Sequence, residues 1–176
     1  MEKNEKIIIL GKSGAGKDFL LRKLKEKGLN GSIKWTTRPQ RKNEVNGIEY
    51  HFTDSETFLK MKSNNEFVVS EQFTNDKGDV WNYGISNVDF NQAQAFIMTP
   101  GEISQLDESV RKGCFIVYLD IDRTVREARL PIREDNNDSV QRRLNADEKD
   151  FKGFRNYDLK ITDSEFEVEM IWGLMT

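Results

Sequence analysis

Only one cysteine, one histidine and three prolines occur among the 176 residues. A lone cysteine excludes an internal disulfide framework, and Cys114, which opens an apolar run, reads as a core residue rather than a reactive thiol. With His51 alone, no metal cluster or hydrolytic machinery can be assembled around several histidines. No apolar stretch approaches the roughly 18 residues of a membrane span, and no signal-peptide pattern precedes the first apolar run. The expectation is therefore a cytoplasmic chain with no membrane partner. A basic excess is also missing: the net charge is −3 and the sequence pI about 5.4. Any nucleic-acid role would have to rest on a local patch. Repeats, low-complexity tracts and linker-like stretches are absent too. What remains is a heavily charged chain, 32% charged against 36% hydrophobic with mean hydropathy −0.70, long enough for one domain with a sizeable core.

Apolar runs at 7–10, 95–99, 114–119 and 159–162 read as strands. Helical patterns alternate with them at 18–27, 102–112, 124–130 and 139–150, and 165–174 closes the chain. Such alternation predicts an α/β fold, a parallel core sheet covered by helices on both faces. Gly113 suits a helix C-cap. Residues 31–86 break the rhythm: 33–36, 48–52 and 67–73 read as short strands of an inserted antiparallel patch, with a helix at about 54–64. Thr53 and Glu56 have the spacing of a capping box.

Gly11-Lys12-Ser13-Gly14-Ala15-Gly16-Lys17-Asp18 directly follows the run Ile7-Ile8-Ile9-Leu10. A buried strand entering a glycine-rich turn and then a helix is the setting in which a phosphate-binding loop works. Backbone N–H groups converge on phosphate oxygens, the helix N-terminus adds partial positive charge, and Lys17 reaches the outer phosphates. Gly11, Ser13, Gly14, Ala15, Gly16, Lys17 and Asp18 are the candidate ATP-binding residues. A Gly-rich turn that binds nothing would not require Lys17 or three glycines. Asp18 stands where the pattern asks for Ser or Thr. It reads either as a magnesium ligand or second-sphere acid, or as a first-turn acid favoured by the helix dipole.

Thr36-Thr37-Arg38-Pro39-Gln40-Arg41 and then Glu44 to Phe52 form a second block. Two arginines three apart beside a tyrosine suit a phosphate clamp, since Arg forks bind phosphate bidentately. A solvated basic loop is the plainer alternative. Arg126, Arg129 and Arg133 share one helical face at i, i+3, i+7. Beside a phosphate loop, they suit phosphoryl transfer, which needs positioning and charge neutralisation more than a nucleophilic side chain.

Together these blocks resemble the guanylate kinase family. GKSGAGKD looks like its GPSGAGKS, and TTRPQR…EVNGIEYHF like its TTRxPR…EVxGxDYxF. Asn65-Glu66-Phe67 is similar to its NGEF, and Tyr83-Gly84 to its YYG. Arg129-Leu130, Arg133 and Arg142-Arg143-Leu144 match its lid pattern, and Tyr157-Asp158 its YD. The resemblance spans about residues 6–173. It implies a three-layer α/β/α P-loop fold with a core of 1–30, 94–121 and 151–176, an acceptor-binding flap at 31–86 and a helical lid at about 122–145. It further implies transfer of the ATP γ-phosphoryl group, with magnesium, to a nucleoside monophosphate. Arg38, Arg41, Tyr50 and Tyr83 would hold the acceptor phosphate. Lys17, Arg38, Arg129, Arg133 and Arg143 would serve catalysis.

The departures concentrate on the base. Where the family reads guanine with Ser, Glu, Ser or Thr and an Asp-x-Asp, this chain carries Lys34, Val69, Ile85 and Ile97-Met98-Thr99-Pro100. Redirected base specificity is the expectation, since a site built around such hydrogen bonds discriminates by about 10⁴. In one alternative, Glu71, two residues beyond Val69 and on the same strand face, enters the pocket and Ser86 follows. The turn at 74–82 is also longer than in typical members. The Lys17-Asp18 pair resembles some phage deoxynucleotide kinases, which leaves a viral origin open. Three functions stay in view: a nucleoside monophosphate kinase with drifted base preference, a kinase acting on a base hydroxyl in DNA, and a non-catalytic binding relative. Lys34, Arg38, Arg41 and Lys42 could hold a strand, although the acidic net charge disfavours it. Monomer and homodimer are both open.

Overall fold

The computed structural model describes residues 6–130 and 139–175. β1 (Lys6–Gly11) leads through the glycine-rich turn into α1 (Lys17–Glu26). The excursion that follows holds β2 (Lys34–Thr36), β3 (Tyr50–Phe52), α2 (Ser55–Ser63), β4 (Phe67–Thr74) and β5 (Val80–Ser86). Then come α3 (Asn87–Gln92), β6 (Ala95–Ile97), α4 (Pro100–Ser104), α5 (Glu108–Lys112) and β7 (Cys114–Leu119). α6 (Arg123–Arg129), α7 (Val140–Asp150), β8 (Leu159–Ile161) and α8 (Val168–Met175) complete the described chain.

The core sheet is parallel, in the order β6-β1-β7-β8. Ile7, Ile8, Ile9 and Leu10 are all fully buried, as a central strand covered on both faces requires. The strand's period of two divides them. Ile7 and Ile9 join Val117, Leu119, Leu20, Leu24 and Ile171 under α1 and α8. Ile8 and Leu10 join Ile116, Tyr118, Phe96 and Ile103 on the opposite face. Cys114 belongs to this second cluster, with burial holding its thiol pKa up, as befits a core residue.

The second sheet runs β3-β2-β5-β4. It is mixed rather than purely antiparallel, because β2 and β3 pair in parallel. Its fourth strand, β5, takes the end of what reads in sequence as a long turn at 74–82, and the hairpin tip is 75–79. Asn75 closes that tip by accepting from the Lys77 and Asp79 backbone N–H groups.

Other local expectations shift for identifiable reasons. The single helix expected at 102–112 is two, separated at 105–107. Thr99 caps α4 in a full capping box with Glu102, with Pro100 in the first turn. α2 is capped by Asp54, which accepts from Thr57 N–H, and not by the Thr53–Glu56 box. The closing helix starts at Val168, three residues later than the pattern predicts, after a turn in which Glu165 N–H donates to Asp163. Gly113 is the C-cap of α5, as expected.

Candidate active site

The loop between β1 and α1 has the backbone that its glycines allow. Gly14 and Gly16 adopt φ of 79° and 99°, a region that other residues enter only with strain. Gly11 is required by space: a Cβ there would lie 2.7 Å from the Leu119 carbonyl oxygen. Ala15 N–H donates to the Lys12 carbonyl, closing the turn. Lys17 Nζ donates to the carbonyls of Gly11 and Lys12 at 2.5 and 3.2 Å, so its ammonium arches over the loop. Asp18 is exposed in the first turn of α1.

Facing the loop is the expected arginine–tyrosine group, with a partner that sequence reasoning assigned no role. Arg38 is buried and donates to Glu44 Oε1 at 2.6 Å, and Arg41 reaches the same oxygen at 3.3 Å. The second Glu44 oxygen accepts the Arg41 backbone N–H. Burial works against the Arg38 charge, but the Glu44 carboxylate and nearby phenols outweigh it, so Arg38 is held charged more firmly than usual. Burial pushes Glu44 up, and Arg38 and Arg41 more than reverse that, holding it below the usual carboxylate range. The Tyr50 ring lies 5.3 Å from the Arg38 guanidinium and 6.1 Å from the Tyr83 ring. Both phenol pKa values are raised, first by burial. For Tyr50 the charge of Asp18 adds to the rise, which places the head of α1 within electrostatic reach of the clamp.

The base-reading candidates separate by depth. In the β4–β5 register Val69 opposes Ile85 and Glu71 opposes Tyr83, so all four share one face. Val69 and Ile85 are buried in the core cluster beneath the sheet and present no open surface. Glu71, at the shallower end beside Tyr83, accepts a hydrogen bond from Thr99 Oγ1 at 2.5 Å. Lys34 donates to both oxygens of fully buried Glu102 at 2.6 Å, and Glu102 is itself the N3 acid of the Thr99 capping box. Burial raises the Glu71 pKa and the Glu102 charge adds to it, against the Thr99 hydrogen bond. Ser86 does not follow Glu71 into this group: it caps α3 and donates to Asp89. The Thr99-Pro100-Gly101-Glu102 box is the signal that could have pointed to this cluster.

From the lid side, Arg129 lies 3.5 Å from the Gly14 carbonyl oxygen and 3.4 Å from that of Ser164. Arg143 is half-buried on α7 beside the buried Leu144. Arg133 lies outside the described residues.

A parallel sheet whose first strand runs into a glycine-rich turn under Lys17, with a buried arginine–tyrosine group on the inserted sheet and Arg129 beside the turn, is the arrangement of a P-loop phosphotransferase. Known proteins give the particular family. The guanylate kinase family model matches residues 3–174. A guanylate kinase from Nostoc sp. is 29% identical over 172 residues, covering 93% of this chain and 84% of its own. One from Oleidesulfovibrio alaskensis is 31% identical over 147 residues, covering 78% and 69%. The crystal structure of guanylate kinase from Anaplasma phagocytophilum has the same fold, with a TM-score of 0.68 at 19% identity over 99% of this chain and 86% of that one. The chain belongs to the guanylate kinase family.

Proposed function

We propose that the chain transfers the γ-phosphoryl group of ATP to a free nucleoside or deoxynucleoside monophosphate whose base is selected by Glu71, Thr99 and Lys34, with Val69 and Ile85 packed in the core behind them. The observation that carries this reading is the convergence of Arg38, Arg41, Tyr50 and Tyr83, with Asp18 at the head of α1 within electrostatic reach of Tyr50. In it, residues 31–86 form the acceptor-binding insert and about 122–145 the lid. Lys17 and the loop N–H groups hold the donor phosphates, the clamp orients the acceptor phosphate, and Arg129, Arg133 and Arg143 neutralise the charge in transit. Closure of lid and flap excludes water and so limits wasteful ATP hydrolysis.

Magnesium fits this site as an ion brought in with the nucleotide. Among the described residues no group of three or more His, Cys, Asp or Glu forms a metal site, while Asp18 offers a hard oxygen at the head of α1. Asp18 would hold the ion together with phosphate oxygens and water, and the ion would offset negative charge on the phosphates.

The basic group that could grip a DNA strand is partly offset from within: Lys34 pairs with Glu102, Arg38 and Arg41 share Glu44, and Lys42 is exposed. That favours a mononucleotide over a strand. Among the described residues no helix is long and apolar enough to cross a membrane. The test is an ADP-release assay over GMP, dGMP, dTMP, dUMP, 5-hydroxymethyl-dUMP and single-stranded DNA. Turnover with a free monophosphate is the expected result. Turnover with DNA alone, or ATP binding with no turnover, overturns the reading.

A further inference from the structure

Arg126 has no part in the chemistry outlined above, yet it is among the largest fully buried side chains of the protein. A guanidinium cannot shed its charge, so its burial must be compensated. Its Nε donates to the Ile121 carbonyl at 3.0 Å, and one terminal nitrogen lies 3.3 Å from the Ser13 carbonyl oxygen, inside the phosphate loop. Two acids from α7 complete the surroundings: Asp147 at 3.8 Å and Glu148 at 3.5 Å.

The same two acids also touch the loop directly. Asp147 Oδ2 accepts the Ser13 backbone N–H at 2.8 Å, and Glu148 pairs with Lys12 at 2.8 Å. The α6 backbone closes the arrangement, since a Cβ on Gly14 would lie 2.7 Å from the Arg126 carbonyl oxygen. Lys12, Ser13 and Gly14 are thus all held from outside the loop. Two carboxylates brace a segment whose task is to receive a polyanion. Without opposing charge they would repel the nucleotide that the loop must bind.

We propose that Arg126 is a positioning residue for the ATP site: together with Lys12 on Glu148, it offsets the charges of Asp147 and Glu148, so that α7 can brace the phosphate loop without repelling the donor phosphates. The inference rests on the kinase reading above, because it takes the loop to bind ATP.

The test is equilibrium binding of ATP to the full chain, with melting temperature followed in parallel. Arg126→Leu is expected to weaken ATP binding at least tenfold. Adding Asp147→Asn and Glu148→Gln to it is expected to bring affinity back to within about threefold of wild type, a recovery that lost packing alone could not give. Wild-type affinity in Arg126→Leu, or a triple variant as weak as the single one, overturns the proposal. If Arg126→Leu does not fold, Arg126→Lys decides: it keeps the charge and loses the fork, so affinity within about threefold supports charge compensation and a tenfold loss overturns it. A wild-type chain that binds no ATP would instead overturn the kinase reading, which keeps the two failures apart.

Discussion

Two carboxylates with opposite tendencies shape the proposed acceptor site at the scale of single residues. Glu44 is held below its usual range, so the stability it supplies is present above its unfolded value of about 4.3 and is lost as pH falls through the lower folded value. Glu44→Gln leaves buried Arg38 without its ion pair. Broken buried pairs cost about 3–5 kcal/mol, and Glu44 keeps some solvent contact, so a loss of about 2–3 kcal/mol at pH 7 is expected in denaturant melts. The loss should shrink as pH falls below about 4.3 and approach zero only beneath the lowered folded value, where both forms lack the charge. An unchanged midpoint at pH 7 would show that Arg38 does not depend on Glu44. Glu71 runs the other way, because its pKa is raised by burial and by Glu102. The folded state then binds more protons than the unfolded one, and stability falls as pH rises from the unfolded value through the folded one. Glu71→Gln keeps an oxygen for Thr99 and removes that penalty. Its melting temperature should match wild type near pH 4 and exceed it at pH 7. Activity should move oppositely, with kcat/KM for the best acceptor falling about 10–100-fold, the worth of one charge-assisted hydrogen bond. Arg38, Arg41 and Tyr50 were legible in the sequence as a group because two arginines three apart beside a tyrosine suit a phosphate clamp, and Tyr83 joined them only through the family resemblance. Glu71 was not separable from Val69, because a period of two places both on one face and only the tertiary packing decides which is deep.

At the scale of elements, the sequence marks strands better than it marks helix ends. The fully buried β1 and β7 stand out because each is an unbroken aliphatic or aromatic run. The break between α4 and α5 does not, since Gln105, Leu106 and Asp107 leave the helical period intact and the interruption comes from capping at each end. Sequence missed β5 as a strand because its hairpin partner, β4, lies across a turn held by Asn75 side-chain bonds rather than by a glycine pair alone. α4 offers a test of the base cluster that spares the carboxylate itself. A Cβ on Gly101 would meet Glu71 Oε1 at 1.9 Å, and that oxygen is the far end of a flexible side chain. Gly101→Ala should therefore turn Glu71 away from Thr99 at little cost. Alanine is also favoured over glycine in a helix by about 1 kcal/mol, so the melting temperature should hold or rise slightly. Acceptor KM is expected to increase at least fivefold while ATP KM stays unchanged. Equal effects on both substrates would show that Gly101 shapes the whole cleft instead of Glu71 alone.

For the molecule as a whole, the core sheet and α7 are held by different forces. The core sheet is sealed by aliphatic clusters on both faces. α7 contributes only Leu144 to the buried set and is otherwise fastened by charge. Lys12 pairs with Glu148, Arg126 with Asp147 and Glu148, and Asp76 at the hairpin tip accepts the Ser139 N–H and faces Arg142. Arg142 also lies 4.0 Å from the centre of the Phe73 ring. The pairs that keep solvent contact, Lys12–Glu148 and Arg142–Asp76, are individually worth little, about 0–1 kcal/mol. Salt screens them, the Debye length falling from about 10 Å at 0.1 M to about 3 Å at 1 M, whereas the buried Arg126 is screened less. Apolar burial is not weakened in this way, and many salts strengthen it. Hydrogen exchange should therefore show α7 opening well below the global unfolding free energy, with 140–150 exchanging several-fold faster in 1 M than in 0.1 M sodium chloride. Amides of β1 should slow or stay constant over the same range. Exchange of α7 together with β1 at both salt concentrations would mean that charge is not what holds the lid. The distinction matters for turnover. In the proposed kinase, opening of α7 would release its hold on Lys12 and Ser13 while the core sheet that carries Gly11 stays intact, so the loop would be braced afresh each time α7 returns.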